Sequence, residues 1–131
     1  MQNRNVLFTW QAIYDVTDIA EYIETEFGID RADKFQNELK KQTDLLGSTN
    51  VIFRKTQFYY RNYPIHQKPF FPSIIFYILT EYELHILRIL REERDRKTIL
   101  KRENHYTYPS YPPEEIQKRF QFTRPFPKEG I

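Results

Sequence analysis

The chain has no cysteine, only three glycines among 131 residues, and no apolar run near the length of a membrane span. Without cysteine there are no disulfides, thiolate nucleophiles or Cys-based zinc sites, a composition that suits a reducing cytosol. Gly28, Gly47 and Gly130 are too scattered to form a phosphate-cradling loop, and no Gly-x-Ser-x-Gly elbow occurs. The three histidines, His66, His85 and His105, stand far apart and never in metal-ligand spacing. Neither a metal nor another cofactor is therefore expected. A membrane-spanning helix needs roughly 18 or more apolar residues, and Met1-Gln2-Asn3-Arg4-Asn5 lacks the apolar core of a secretion signal. These features predict a cytoplasmic protein.

What the chain does have is aromatic content, 17% of residues, within a hydrophobic fraction of 40%. That suffices for one modest core, so one domain with an extension is expected. Val6-Leu7-Phe8 reads as a short strand, with Thr9 as a helix N-cap. Ala12, Ile13, Val16, Ile19, Ala20, Ile23 and Phe27 then recur at helical spacing, with Asp15, Asp18, Glu21 and Glu24 on the opposite face. Gly28 is a natural stop. A second helix is predicted from near Asp30, burying Ala32, Phe35, Leu39 and Leu46 and ending at Gly47. So short a connection makes the two helices an antiparallel hairpin.

Phe58–Tyr60, Ile74–Leu79 and His85–Ile89 have strand composition, the last two joined by a polar turn at Thr80–Glu83. Pro64, Pro69 and Pro72 predict that the stretch between Gly47 and Ser73 is a long irregular loop beside one short strand. The result is an α+β domain over residues 1–100, with the helix hairpin packed on one face of a small, mainly antiparallel sheet. Five of the eight prolines fall in 101–131, which reads as a Pro/Tyr-rich extension with a short helix over Pro113–Phe120.

The formal net charge of +2 conceals an uneven distribution. Residues 1–46 carry five basic groups against nine acids, residues 47–100 nine against five, and residues 101–131 six against four. The helix half is thus acidic and the sheet half basic, a polarity that concerns partners. Strict alternation along His85–Ile89 places His85, Leu87 and Ile89 on the helix side and Arg88 on the uncovered sheet face. Arg91 and Arg94 extend from that strand, while Lys55, Arg61 and Lys68 precede it, interleaved with Tyr59, Tyr60, Tyr63 and Tyr77. Cations neutralise phosphates and aromatic rings stack on bases, so this surface is a candidate nucleic-acid or acidic-partner interface.

Three segments carry a family resemblance. Asp18-Ile19-Ala20-Glu21-Tyr22-Ile23 with Phe27-Gly28 resembles the first helix of the RelE/ParE superfamily of type II toxin–antitoxin toxins. Ala32-Asp33-Lys34-Phe35 with Leu39 and Leu46 resembles its second helix, and Ile75-Phe76-Tyr77 with Ile86–Asp95 resembles the ParE-like ending. The resemblance implies a helix hairpin on a small antiparallel sheet. It also implies a cognate antitoxin with an acidic, amphipathic C-terminal segment, and a target that is either DNA gyrase or ribosome-bound mRNA. If the chain is RelE-like, Arg88, Arg61 and Arg91 are the expected catalytic cations. In either case Lys55, Arg61, Lys68, Tyr77, Arg88, Arg91 and Arg94 are the expected binding residues. Arg91 stands where ParE-like members usually have His, and Glu93 replaces a basic residue. No acid–base pair is evident on the sheet face, which tilts the reading towards ParE-like gyrase inhibition over RelE-like mRNA cleavage. A non-toxic nucleic-acid or protein-binding module of the same fold is the remaining alternative.

Overall fold

The computed structural model describes residues 3–92 and 94–109. Strand β1 (Asn5–Phe8) leads into helices α1 (Trp10–Phe27) and α2 (Ile29–Ser48). Strands β2 (Lys55–Tyr60), β3 (Tyr63–Phe70), β4 (Ser73–Leu79) and β5 (Glu83–Arg91) follow, then the short helix α3 (Arg96–Arg102). The sheet order is β1-β5-β4-β3-β2, with β1 parallel to β5 and every other pair antiparallel. The α+β expectation holds, and the helix hairpin lies on one sheet face. No helix among the described residues is long and apolar enough to cross a membrane.

Local chemistry explains the first half. The Thr9 hydroxyl accepts from the Ala12 N–H at 2.9 Å and donates to the Leu87 carbonyl at 2.8 Å. One side chain thus caps α1 and ties its start to β5. Gly28 alone separates the helices, at φ 99°, a conformation that favours glycine, and its N–H closes on the Glu24 carbonyl. The predicted stripes are buried as expected, from Ala12 to Ile23 on α1 and from Ala32 to Leu46 on α2; Phe27, by contrast, is exposed.

Gly47 has a different role from the helix stop expected of it. Helix α2 continues to Ser48, and a Cβ at Gly47 would lie 2.7 Å from Val6 Cγ2 and 2.9 Å from the Arg4 carbonyl oxygen. The Arg4 N–H also donates to the Gly47 carbonyl at 2.8 Å. Glycine is needed here so that α2 can touch the entry to β1.

The loop expected between Gly47 and Ser73 is instead largely sheet. Arg61 and Asn62, both at positive φ, form a two-residue turn that joins β2 to β3 with Tyr60 paired to Tyr63. Two of the prolines sit within β3 because each lacks a ladder partner on one side. Pairing with β4 runs from His66 to Phe70, leaving Pro64 outside it. Pairing with β2 runs from Tyr63 to His66, leaving Pro69 outside it.

Strict alternation also fails along β5. Phe76 pairs with Arg88 but Tyr77 pairs with Ile86, so Leu87 is an extra residue and the strand bulges. Leu84, Ile86 and Ile89 face the helices, whereas Leu87 and Leu90 join a second core with Phe76, Ile78, Leu100 and Tyr106. The second sheet face is therefore covered rather than open. The boundary expected at residue 100 falls inside α3, and Tyr106 is buried edge-on against Tyr60 at 4.8 Å. Its N–H donates to the Tyr60 hydroxyl, and the Trp10 N–H donates to the Thr107 carbonyl. The short helix expected over Pro113–Phe120 lies outside the described residues.

Gly47→Ala tests the close approach. Overpacking against a backbone carbonyl sits high in the range of about 1–3 kcal/mol, against a helix-propensity gain of roughly 1 kcal/mol. A net loss of about 1–2 kcal/mol is expected by urea denaturation; an unchanged or higher midpoint would contradict it.

Candidate functional site

The sheet cation placed on an open face by alternation is locked inside the protein. Arg88 Nε donates to Asp15 Oδ2 at 2.7 Å and Nη2 donates to Oδ1 at 2.9 Å, a bidentate pair. Arg88 Nη1 reaches Glu103 Oε1 at 3.4 Å. The two side chains of the main pair are only 12% and 6% exposed. Arg88 pairs with Phe76 of the second core, so it keeps the face that alternation assigned to it. The bulge instead swaps Ile86 to the helix side and Leu87 to the second core.

Asp15 was expected on the solvent face of α1, and the structure buries it. β1 ends at Phe8, and the next backbone link to β5 is Thr9 N–H to the Ile86 carbonyl. Beyond that point Asp15 Oδ2 accepts the Ile89 N–H at 3.0 Å, doing with a side chain what a longer β1 would do with its backbone. Burial pushes the Asp15 carboxyl above its usual range, while Arg88, the Ile89 N–H and Arg94 pull it back. Burial also opposes the Arg88 charge, but the Asp15 hydrogen bond and charge outweigh it and raise its pKa. Two signals pointed to this pair: Asp15 adjoins the buried stripe between Ala12 and Val16, and Arg88 interrupts an apolar strand.

The other expected binding residues are distributed over several surfaces. Arg61 lies at the tip of the β2–β3 hairpin, its guanidinium 5.3 Å from the Tyr60 ring centroid. Tyr59 and Tyr63 are exposed beside it. Lys68 Nζ stands 4.8 Å from the Phe53 ring centroid. Tyr77 belongs to the helix-side core: its hydroxyl accepts the Phe53 N–H at 3.1 Å, its ring stacks on His66, and burial raises its pKa. Lys55 opens β2 on the sheet edge and is exposed.

Arg91 comes closest to a site. Its guanidinium sits 3.8 Å from the Tyr22 ring centroid, and it joins Arg94 beside Asp15 and Asp18 in a small pocket. On its other side opens a groove of about 780 Å³ between the hairpin helices and the β3–β4 turn. Phe27, Phe70 and Phe71 supply apolar lining, and Arg31, Lys34 and Arg91 supply positive charge that Glu38 and Glu92 offset in part. Phe71 is 85% exposed and Phe27 55%, unusually high for large apolar rings.

A polar chain crosses the other sheet face. His85 Nε2 meets Glu83 Oε1 at 2.9 Å and Nδ1 meets the Tyr108 hydroxyl at 2.6 Å. With the hydroxyl donating to Nδ1, the Nε2 proton goes to Glu83. Burial, reinforced by Tyr60 and Glu83 and opposed by Arg61, pushes Tyr108 up to about 12. Among the described residues no His, Asp and Glu cluster could hold a metal ion.

The family model for the ParE toxin of the type II toxin–antitoxin system parDE matches residues 6–96. The chain belongs to the ParE toxin family. A chain of the chromosomal ParDE toxin–antitoxin system from P. aeruginosa is similar in fold, with a TM-score of 0.58 at 20% identity. The alignment covers 69% of this chain and 97% of that one. No curated protein matches the sequence. In this ParE-family chain the matched region ends at the first residue of α3, so Glu103, Tyr106 and Tyr108 on the second sheet face lie beyond it.

Removing Arg88 leaves a buried carboxylate uncompensated, which costs about 3–5 kcal/mol. Arg88→Ala should therefore lower stability by that order, and Asp15→Ala/Arg88→Ala should cost about 1–3 kcal/mol less than the two single changes together. Urea denaturation of the four proteins checks this. Additive effects, or an Arg88→Ala protein as stable as the parent, would contradict it.

Proposed function

We propose that this chain is the toxin of a type II toxin–antitoxin module, that it arrests bacterial growth by inhibiting DNA gyrase, and that a cognate antitoxin restrains it. The observation that carries this reading is the match of residues 6–96 to ParE toxins. The arrangement of cations supports binding over RNA cleavage. Cutting a phosphodiester by 2′-hydroxyl attack needs a base, an acid and cations converging on one phosphate. Arg88 is engaged by Asp15, Arg61 occupies a hairpin tip, and Arg91 packs on Tyr22 at the end of β5. His66 and His85 already hold the Phe53 carbonyl, Glu83 and Tyr108. An acidic, amphipathic antitoxin segment suits the groove at Phe27, Phe71, Arg31, Lys34 and Arg91, with apolar residues against the rings and carboxylates against the cations.

The test has two arms. Expressed alone the protein should arrest growth, and the purified full chain should inhibit gyrase supercoiling while mRNA ends mapped after induction stay unchanged. Cleavage within codons, with gyrase unaffected, would overturn the proposal in favour of mRNA cleavage. Normal growth with abundant folded protein would favour a non-toxic binding module.

A further inference from the structure

On the face opposite the helix hairpin, a groove of about 310 Å³ runs between the β2 edge of the sheet and α3. Arg54 and Lys55 stand on one wall, Arg96 and Lys97 on the other, with Gln57 and Phe58 between them. Phe76 and Leu100 contribute apolar surface, and among the described residues no acidic side chain lines the groove. Arg54, Lys55 and Lys97 are exposed, and none of the four cations forms an ion pair among the described residues. The adjacent Asp95 carboxylate is turned into α3, where it accepts from the Thr98 N–H at 3.2 Å and the Thr98 hydroxyl at 2.7 Å. Four cations therefore share one groove with no counter-charge among its described lining residues.

A groove at a sheet edge could take an acidic peptide as an added strand, but this edge is poorly formed for that. The Thr56 hydroxyl accepts the Phe58 N–H at 3.0 Å and donates to the Ile65 carbonyl at 2.9 Å. The β2–β3 register shifts between Lys55 and Tyr59. Irregularities of this kind spoil the continuous row of donors and acceptors that strand addition requires. Arginines and lysines on two walls do suit a chain of phosphates between them, and the half-buried Phe58 ring offers a stacking surface for a base.

We propose that this groove binds the phosphodiester backbone of single-stranded nucleic acid. Recognition is by charge and stacking, so it is indifferent to sequence and to the sugar. The site is separate from the groove at Phe27 and Phe71 and does not depend on gyrase being the target.

Fluorescence anisotropy with the purified full-length chain and labelled 12-nucleotide dT and rU oligomers tests it. Both should bind alike. Four neutralised phosphates predict a roughly 50-fold loss of affinity between 50 and 200 mM salt, from a slope of about −0.7 per phosphate for single strands. Lys55→Glu/Lys97→Glu should weaken binding at least about tenfold, while Lys40→Glu/Lys41→Glu on α2 should leave it within about twofold. Should the first variant not fold, Lys55→Gln/Lys97→Gln is read in its place. Salt-independent binding, equal losses in the groove and α2 variants, or tighter binding of a 12-residue poly-Glu peptide would each overturn the proposal.

Discussion

The contact between Asp15 and β5 governs how the two halves of this molecule meet. β1 has only four residues, so its partner strand outruns it, and the Ile89 N–H would otherwise lack an acceptor past the end of β1. A buried donor left unpaired costs about 1–3 kcal/mol. Asp15 supplies the acceptor from α1, and Arg88 balances the charge that Asp15 brings into a dry site. Together with the Thr9 hydroxyl, which also bonds β5, this fixes α1 over the strand at two levels. Gly28 and Gly47 then place α2, the first by its backbone conformation and the second by its lack of a Cβ.

That constraint reshapes the functional surface. The basic half of the chain suggested one cationic sheet face, yet its central arginine belongs to the core and the face itself is covered by α3, Tyr106 and Tyr108. Seven other cations gather in two grooves on opposite sides of the sheet, while Arg61, Lys68 and Arg94 lie outside both. One, at Arg31, Lys34 and Arg91, is framed by exposed aromatic rings and suits an amphipathic protein segment. The other, at Arg54, Lys55, Arg96 and Lys97, is narrower and more uniformly basic. Loss of function on changing Arg88 would therefore report folding before it reported binding.

The sequence made legible what short-range pattern determines. Helical spacing located both buried stripes, Thr9 and Gly28 marked their boundaries, and the polar turn at Thr80–Glu83 placed the β4–β5 hairpin. The family resemblance was legible for the same reason, since its motifs lie in those segments. What escaped depends on neighbours distant in the chain. Pro64 and Pro69 looked incompatible with a strand because only the pairing pattern shows where a ladder bond is not needed. The bulge at Leu87 exists through its register with β4, and it reverses the faces that alternation assigns to Ile86 and Leu87. Asp15 looked like another solvent-facing acid of α1, since its partners lie more than 70 residues away. For the site, Arg91 lies on a surface as its place at the end of β5 suggests, whereas Arg54 and Lys55 meet Arg96 and Lys97 only because α3 folds back along the sheet.

Native-state hydrogen exchange at the Ile89 amide tests the central claim most directly. If the Asp15 carboxylate holds that N–H inside the core, the amide exchanges only through global unfolding, with protection matching the most protected amides of β4. Exchange of the Ile89 amide at the rate of a frayed strand edge, while β4 stays protected, would contradict the account.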